Sequence, residues 1–490
     1  MELDPATCFR ALAARDARFD GVFFVCVTTT QIYCRPICAA RTPRRENCRF
    51  FPSAAAAERE GFRPCLRCRP ELAPGNAPCD AIGRVARAAA ARIEAGALDD
   101  DGSLEALAGQ LGLSSRQLRR AVRQELGVAP VELVQTRRLL LAKQLLAETR
   151  LPLIQVAFAS GFASVRRFNA LFRSRYRLTP SQMRRSNGRP AADESVRLRL
   201  SYRPPLAWSE MLRFLQDRVL AGVECIAGRA YLRTVSLGKH RGWLCAEPLA
   251  GQNALTVEVS TSLVPVLAPL LGRLRDLFDL NARPDIIAAH LGADALLGPA
   301  LRRCPGLRVP GAFSGFELAV RAILGQQVSV RAASTLAGRL SAALGEPLLT
   351  PWPGLSRLSP TAQRLAAADV AELTALGITR RRAESLRALA SAVAAGRLPL
   401  DPGPMPEKTI DRLQEIPGIG AWTAHYIAMR AGRWPDAFPH DDLGLKKATG
   451  EVSGRGVRHL AEAWRPWRAY AAMHLWNTLC HNPAEDATSA

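Results

Sequence analysis

The chain has 490 residues, 48% of them hydrophobic, which is enough for three or four folded domains and excludes a largely disordered protein. Lysine and arginine outnumber aspartate and glutamate by 66 to 44, and the formal net charge of +22 favours a polyanionic partner. We find no apolar run of about 18 residues and no N-terminal signal pattern, so we expect a cytoplasmic protein without a membrane partner.

Residues 1–72 contain two close pairs of cysteines, Cys34 with Cys38 and Cys65 with Cys68. Four thiolates at such spacing form a typical tetrahedral ligand set for Zn²⁺, so the sequence predicts one zinc ion in a small α+β module. Most sites of this kind are purely structural, and that interpretation stays open here. A thiolate ligand is also a nucleophile, however, so the site could carry out chemistry.

Residues 80–186 are predicted to be helical, with a weak internal repeat. A short helix, a glycine turn and a serine that can cap the next helix occur twice, at Ser114 and again at Ser164. The helix after each serine is basic and contains the residues that we expect to contact DNA, namely Arg116, Arg120, Arg166 and Arg167. Two such units indicate a double helix-turn-helix domain more strongly than the alternative, a plain helical bundle with solvated arginines.

The remaining chain divides into residues 197–310, with mixed strand-like and helical patterns, and residues 311–482, with mainly helical ones. In the second of these, Pro-Gly-x-Gly separates two helices, as in a helix-hairpin-helix. Gly418 and Gly420 permit the tight turn, and the free amides after it can bind a DNA phosphate. The fold class is therefore predicted to be multidomain and mainly α, with two small α+β parts.

The cysteine-rich segments 28–38, 45–47 and 61–68 resemble the N-terminal domain of the Ada adaptive-response family. The resemblance implies that Cys34 accepts a methyl group from a DNA methylphosphotriester, and that Cys34, Cys38, Cys65 and Cys68 bind the zinc ion. Methylation would remove one negative charge near DNA. Coulomb's law then gives a gain in DNA affinity of roughly tenfold to several-hundred-fold for a few nearby phosphates.

The helical repeat, with Gly161-Phe162 and a closing Thr179-Pro180, resembles the AraC-type DNA-binding domain. Residues 197 to about 482 resemble AlkA-type 3-methyladenine DNA glycosylases almost continuously, for example at 208–215, 316–326 and 474–476. In that helix-hairpin-helix superfamily an aspartate at the place of Asp442 faces the flipped nucleotide. An aspartate before a helix is also a common N-cap.

The glycosylase resemblance implies further site residues. Trp422, Tyr426 and Trp476 would present aromatic faces to a cationic alkylated base, although any single one of them could simply belong to the core. Gln327 occupies the position of the family's leucine wedge, where an amide fills the gap in DNA less well. The helix that carries Trp422 has no lysine, so we expect a monofunctional glycosylase.

We therefore predict a fusion of an Ada-type zinc methyl acceptor, an AraC-type domain and an AlkA-type glycosylase, without an O6-alkylguanine transferase segment. It would act as a DNA-3-methyladenine glycosylase of type II, releasing bases such as 3-methyladenine and 7-methylguanine. Stoichiometric methyl transfer to Cys34 would switch its promoter binding. The expected partners are double-stranded DNA, at the nucleoid, and RNA polymerase. Two alternatives stay open, a regulator with an inactive glycosylase half and a glycosylase with a merely DNA-tethering zinc module.

Overall fold

The computed structural model describes residues 4–75, 83–99, 102–184 and 194–480, and the ends of the predicted domains at 80–82, 185–186 and 481–482 lie outside these ranges. The chain forms two compact units. The first unit comprises Met1–Pro204 and Val235–Arg275, and the second comprises Pro205–Thr234 and Asp276–Ala490. In the described ranges, helices are either too short or too polar to cross a bilayer.

The first unit opens with a small module built on a four-stranded sheet. Its elements are α1 (Pro5–Ala13), β1 (Phe24–Val27), β2 (Ile32–Cys34), β3 (Cys48–Phe51), α2 (Ala54–Arg59) and β4 (Arg63–Pro64). The strand order is β3-β1-β2-β4, in which β1 is antiparallel to both β2 and β3, and β2 is parallel to β4. The parallel pairing of β2 and β4 places the segment after β4 beside the segment after β2.

Seven helices follow in the first unit. They are α3 (Arg84–Glu94), α4 (Leu104–Gln110), α5 (Ser115–Leu126), α6 (Pro130–Glu148), α7 (Leu153–Ala159), α8 (Val165–Tyr176) and α9 (Pro180–Arg184). The helix pairs α4–α5 and α7–α8 are the two predicted helix-turn-helix units, and α6 joins them. The predicted glycine turns are present, since Gly112 and Gly161 adopt φ of 71° and 86°, a region that favours glycine.

The sheet module and α6 share a buried carboxylate, that of Glu58 in α2. Its two oxygens accept hydrogen bonds from the Tyr33 hydroxyl and from the Thr136 hydroxyl of α6, both at 2.9 Å. Burial raises the pKa of Glu58 to about 7, and the two hydroxyls only partly offset this effect. A second buried link is the ion pair between Lys143 of α6 and Glu71. The sheet module is therefore anchored on the helix that joins the two helix-turn-helix units.

The strands of the predicted α+β subdomain are antiparallel. They are β5 (Ser195–Ser201), β6 (Glu224–Ala227), β7 (Ala230–Leu237), β8 (His240–Pro248) and β9 (Ala254–Ser260). In the first unit β9 pairs with β5 and with β8, with Leu198 opposite Val257, and their apolar side chains are buried. In the second unit β6 and the start of β7 form a hairpin, after the helix α10 (Trp208–Gln216).

Helices make up most of the rest of the chain. They are α11 (Leu267–Leu277), α12 (Pro284–Leu291), α13 (Leu297–Arg303), α14 (Gly315–Leu324), α15 (Val330–Leu344), α16 (Ala362–Ala367), α17 (Val370–Ala375), α18 (Arg380–Ala394), α19 (Pro406–Gln414), α20 (Ala421–Arg430), α21 (Leu443–Thr449), α22 (Gly454–Leu460) and α23 (Arg468–Leu479). In the second unit, α14 packs against α15, α18 and α20, α19 packs against α20, and α21 packs against α23. This helical part matches the predicted fold class.

A buried carboxylate fixes the helices that carry the candidate site of the second unit. Asp279 is 1% exposed and accepts a hydrogen bond from the Tyr470 hydroxyl of α23 at 2.7 Å. It also pairs with the guanidinium of Arg433, which lies just after α20. Because an unpaired buried charge is costly, this set of bonds holds the end of α20 and the start of α23 in one arrangement.

Candidate functional site

The two cysteine pairs meet in the sheet module of the first unit. Cys34 ends β2 and Cys65 follows β4, and the parallel pairing of these strands brings both loops together. The sulfurs of Cys34, Cys38, Cys65 and Cys68 all lie within 4.8 Å of one another, and we call them the zinc cluster. A tetrahedral zinc site with bonds of about 2.3 Å requires sulfurs about 3.8 Å apart, so the donor set fits this metal.

Members of the zinc cluster differ in exposure and in hydrogen bonding. Cys38 and Cys65 are buried, whereas Cys34 and Cys68 are half-buried. The sulfur of Cys68 accepts the backbone N–H of Arg35 at 3.4 Å. Contacts with Cys34 lower the pKa of Cys38 to about 6 and hold the pKa of Cys65 below its ordinary value. Contacts with Cys38 raise the pKa of Cys34, and the pKa of Cys68 is raised as well, so without a metal two of the four sulfurs favour the thiolate and two favour the thiol.

A buried arginine supports the cluster loops. Arg35 is 6% exposed, pairs with Asp20 through two nitrogens and donates from Nη1 to the carbonyl of Cys68 at 3.2 Å. Along the chain, the segments after Cys38 and between Cys65 and Cys68 contain arginines that are exposed on the surface: Arg41, Arg44, Arg45 and Arg67. The anionic cluster therefore lies in a positively charged surface that can approach phosphates.

The predicted DNA-contacting arginines lie on the outer faces of the two second helices. Arg116 and Arg120 of α5 are exposed, as are Arg166 and Arg167 of α8. Ser114 and Ser164 cap these helices, as predicted, by accepting backbone N–H groups three residues ahead. The inner face of α8 buries Phe168, Phe172 and Tyr176 in an edge-to-face series, which directs its arginines outwards.

The second unit contains an aromatic and carboxylate site at the start of α21. The indole N–H of Trp422 donates to Asp442 Oδ2 at 3.0 Å, and that of Trp476 donates to Asp442 Oδ1 at 2.9 Å. Oδ1 also accepts the backbone N–H of Leu445 at 3.0 Å, so Asp442 is an N-cap as well. The ring of Tyr426 lies parallel to that of Trp422, with centroids 5.4 Å apart. The structure thus brings together four residues that the sequence placed on three elements, and we call them the aromatic site.

The helix-hairpin-helix turn lies beside α20. Gly418 has φ of 85°, and a side chain there would collide with the hydroxyl of Ser385 at 2.2 Å, so both conformation and space require glycine. Gly420 is exposed and precedes α20. Gln326 donates from Nε2 to the Gly418 carbonyl at 2.8 Å, which joins the turn to the loop that carries Gln327. Gln327 itself is exposed in a left-handed conformation, with φ of 53°.

Four family models match the chain. The metal binding domain of Ada matches residues 7–71 and a helix-turn-helix domain matches 107–186. The AlkA N-terminal domain matches residues 197–314, and the HhH-GPD superfamily of base excision DNA repair proteins matches 320–465.

Whole-length relatives decide the family. A probable bifunctional transcriptional activator/DNA repair enzyme AlkA of Mycobacterium tuberculosis is 39% identical over 98% of both chains. The chain belongs to this bifunctional AlkA family. DNA-3-methyladenine glycosylase 2 of Escherichia coli is 42% identical and aligns 99% of its length with 58% of this chain. The structure of a 3-methyladenine DNA-glycosylase from Archaeoglobus fulgidus has a TM-score of 0.50 at 23% identity, covering 57% of this chain and 97% of that one, and shares the fold.

The chain contains the Ada metal binding domain and a cluster of four cysteines, and its cofactor is therefore a zinc ion. Within the described ranges, the zinc cluster is the one group of at least three cysteine, histidine or acidic side chains with the spacing of metal ligands. When bound, zinc keeps cysteine ligands deprotonated at neutral pH.

Sequence patterns did not predict several residues that lie next to the aromatic site. Arg430 donates from Nη1 to the Tyr426 hydroxyl at 2.8 Å, and its guanidinium carbon lies 4.9 Å from the centre of the Phe214 ring. Leu443, directly after Asp442, is 81% exposed although it is apolar. Tyr426 and Arg430 are four residues apart on one helix, and this spacing could have predicted their contact. An apolar residue directly after Asp442 could have indicated Leu443.

Proposed function

We propose that this protein is a DNA alkylation repair and response enzyme whose aromatic site hydrolyses the N-glycosidic bond of alkylated purines. One observation carries the proposal. The indole N–H groups of Trp422 and Trp476 hold the two oxygens of Asp442 from two different helices, with the Tyr426 ring stacked beside them. Such an arrangement orients one carboxylate at the edge of aromatic faces, as hydrolysis of a cationic nucleoside requires.

The chemistry follows from the charge of the substrate. A purine alkylated at N3 or N7 is cationic, so its bond to the sugar is weakened and the base leaves as a neutral molecule. The rings of Trp422, Tyr426 and Trp476 attract the cation by their π faces. As the bond breaks, positive charge moves to the sugar, and the oriented carboxylate of Asp442 stabilises it and directs the attacking water.

The DNA must present the base outside the helix. Free amides at Gly420 and the start of α20 can bind a phosphate of the strand without reading its sequence. We assign entry into the gap that the flipped nucleotide leaves to Gln327, because it is exposed on the loop that Gln326 joins to the hairpin. α20 contains no lysine, so an amine is not offered to the sugar there and water is the nucleophile.

A second reaction is proposed at the zinc cluster. The Sγ of Cys34 attacks the methyl carbon of a DNA methylphosphotriester, an S–C bond forms, and the C–O bond breaks with its electron pair going to the phosphate oxygen. Cys34 is favoured over Cys38 and Cys65 because Cys34, taken as a whole residue, is half-buried and the other two residues are buried. It is favoured over Cys68 because the N–H of Arg35 occupies that sulfur and lowers its nucleophilicity.

Methylation removes one negative charge from a module that is anchored on α6. We propose that repulsion between the cluster and DNA phosphates then falls and that the arginines of α5 and α8 bind promoter DNA. An activator that works in this way would also contact RNA polymerase, which stays a prediction.

Release of 3-methyladenine from methylated DNA tests the glycosylase. Wild type should release the base, Asp442→Asn should reduce release by at least about a hundredfold, and the adjacent exposed Asp441→Asn should resemble wild type. A wild type without release would leave a regulator with an inactive half as the better function.

Mass spectrometry of the protein after incubation with methylated DNA tests the acceptor. One added methyl group should appear on the peptide that contains Cys34 and on no other cysteine peptide, and Cys34→Ser should abolish it. A protein that remains unmethylated while it releases bases would be a glycosylase with only a DNA-tethering zinc module.

A further inference from the structure

Beneath the aromatic site, Arg430 is fixed by three hydrogen bonds that saturate most of its guanidinium. Nη1 donates to the Tyr426 hydroxyl at 2.8 Å, Nε donates to the carbonyl of Pro310 at 2.8 Å, and Nη2 donates to that of Gly311 at 3.0 Å. The residue is 3% exposed. A positive charge is therefore held against the phenolic oxygen of a residue whose ring faces the proposed base.

Two more arginines, on other elements, act electrostatically on the same hydroxyl. Arg218, after α10, lies with its guanidinium carbon 3.7 Å from the centre of the Phe214 ring, which Arg430 also contacts. Arg321, on α14, donates to the Ser334 hydroxyl at 2.9 Å, and burial lowers its own pKa to about 10. Two carboxylates carry negative charge near these groups: Asp442, which accepts the indole N–H of the Trp422 ring on which Tyr426 stacks, and Glu224, which acts on Arg321.

We propose that Arg430 is a positioning residue that acts through the Tyr426 hydroxyl to set how strongly the aromatic site prefers cationic bases to neutral ones. The proposal rests on the proposed glycosylase function, which it extends to substrate choice. Arg430 donates to one lone pair of the phenolic oxygen, so the hydroxyl cannot rotate freely and the ring stays parallel to that of Trp422, with 8° between the two ring planes.

The arginines also determine the charge of this ring. Burial alone would raise the pKa of Tyr426, but Arg430, Arg218 and Arg321 outweigh it and bring the pKa to about 8. Loss of the phenolic proton to solvent leaves an anion that the guanidinium groups stabilise. A cationic base about 5 Å from that anion would gain between about fourfold and a few hundred-fold in affinity over a neutral base, for effective dielectric constants of 80 and 20.

Absorbance of the phenolate measures the first step directly in the full-length protein. Four of the five other tyrosines are buried, and burial raises their pKa values well above 10: Tyr33, Tyr176, Tyr231 and Tyr470. A band that appears below pH 9 is assigned to Tyr426, and not to Tyr202, by its loss in Tyr426→Phe. The band should appear near pH 8 in wild type, vanish in Tyr426→Phe, and move towards pH 10 in Arg430→Gln. A band unchanged in Arg430→Gln would overturn the proposal.

Base release measures the second step. The rate of release from DNA that contains 3-methyladenine, where the attached base is cationic, divided by the rate from DNA that contains 1,N6-ethenoadenine, where it is neutral, should rise by about fourfold or more between pH 7 and pH 9 in wild type. Tyr426→Phe, which keeps the stacked ring, should show a flat ratio, and adding Arg430→Gln to it should change the ratio no further.

The two measurements separate this inference from the glycosylase proposal. Absence of any base release, with the expected absorbance change, would refute the enzyme and leave the charge of Tyr426 established. Two results would assign Arg430 a structural role alone. In the first, the ratio of the two release rates still rises with pH in Tyr426→Phe. In the second, Arg430→Gln lowers that ratio equally in wild type and in Tyr426→Phe.

Discussion

The hydrogen bond from Trp476 to Asp442 can be tested by a single substitution that keeps the aromatic face. Trp476→Phe removes the indole N–H that lies 2.9 Å from Oδ1 but leaves a ring of similar plane. A hydrogen bond to a charged group is worth about 1.5–3 kcal/mol, so if the bond orients the carboxylate in the transition state, the rate falls about tenfold to 150-fold. The assay is single-turnover release of 3-methyladenine at saturating enzyme, which measures the chemical step apart from DNA binding.

Trp464 offers a matched control. Its indole N–H also donates to a carboxylate, that of Asp294, at 2.8 Å, and the residue is completely buried. Trp464→Phe should therefore lower the free energy of unfolding by a comparable amount while leaving the single-turnover rate within about twofold. Equal losses of rate in both variants would refute the orienting role of Trp476, since a general loss of folded protein would then explain them.

Three further predictions concern other parts of the molecule. Glu58 keeps its proton up to about pH 7 in the folded state but only up to about pH 4.5 in the unfolded state. The free energy of unfolding of the first unit should therefore fall by up to about 3 kcal/mol as pH rises from 4.5 to 7. Urea denaturation should show this dependence in wild type and a flatter one in Glu58→Gln. Gln327→Leu should tighten binding to abasic-site DNA about threefold to tenfold in a fluorescence titration, because an apolar side chain fills the gap better. Chelation of zinc should make residues 4–75 sensitive to protease while base release persists. If chelation abolished protease resistance and base release together, separate roles for the two units would be contradicted.

Much of the site could be predicted because its residues lie in short, well-spaced patterns. The two cysteine pairs indicated a metal cluster, and the glycines of the hairpin indicated the turn at Gly418, which the structure contains. The resemblance supplied Asp442 and its aromatic partners. Spacing alone could not show that Trp476 reaches the same carboxylate as Trp422, since the two are 54 residues apart and meet only through the packing of α21 on α23.

Features that depend on burial were the least predictable. Arg430 resembles any basic residue near a helix C-terminus until the carbonyls of Pro310 and Gly311 are seen to surround it. Glu58 lies in a run of alanines and gives no sign in the sequence that its carboxylate joins α2 to α6.

The carboxylate of Glu58, which accepts hydrogen bonds from Tyr33 and Thr136, fixes a distance within the first unit. Tyr33 is the residue next to Cys34, and Thr136 lies on the helix from which both DNA-reading pairs extend. The spacing between the proposed methyl acceptor and the helix-turn-helix pairs is thus set by side-chain contacts and not by the length of a flexible linker. A DNA duplex that engages both parts at once must then present its modified phosphate and its recognition sequence at one fixed separation.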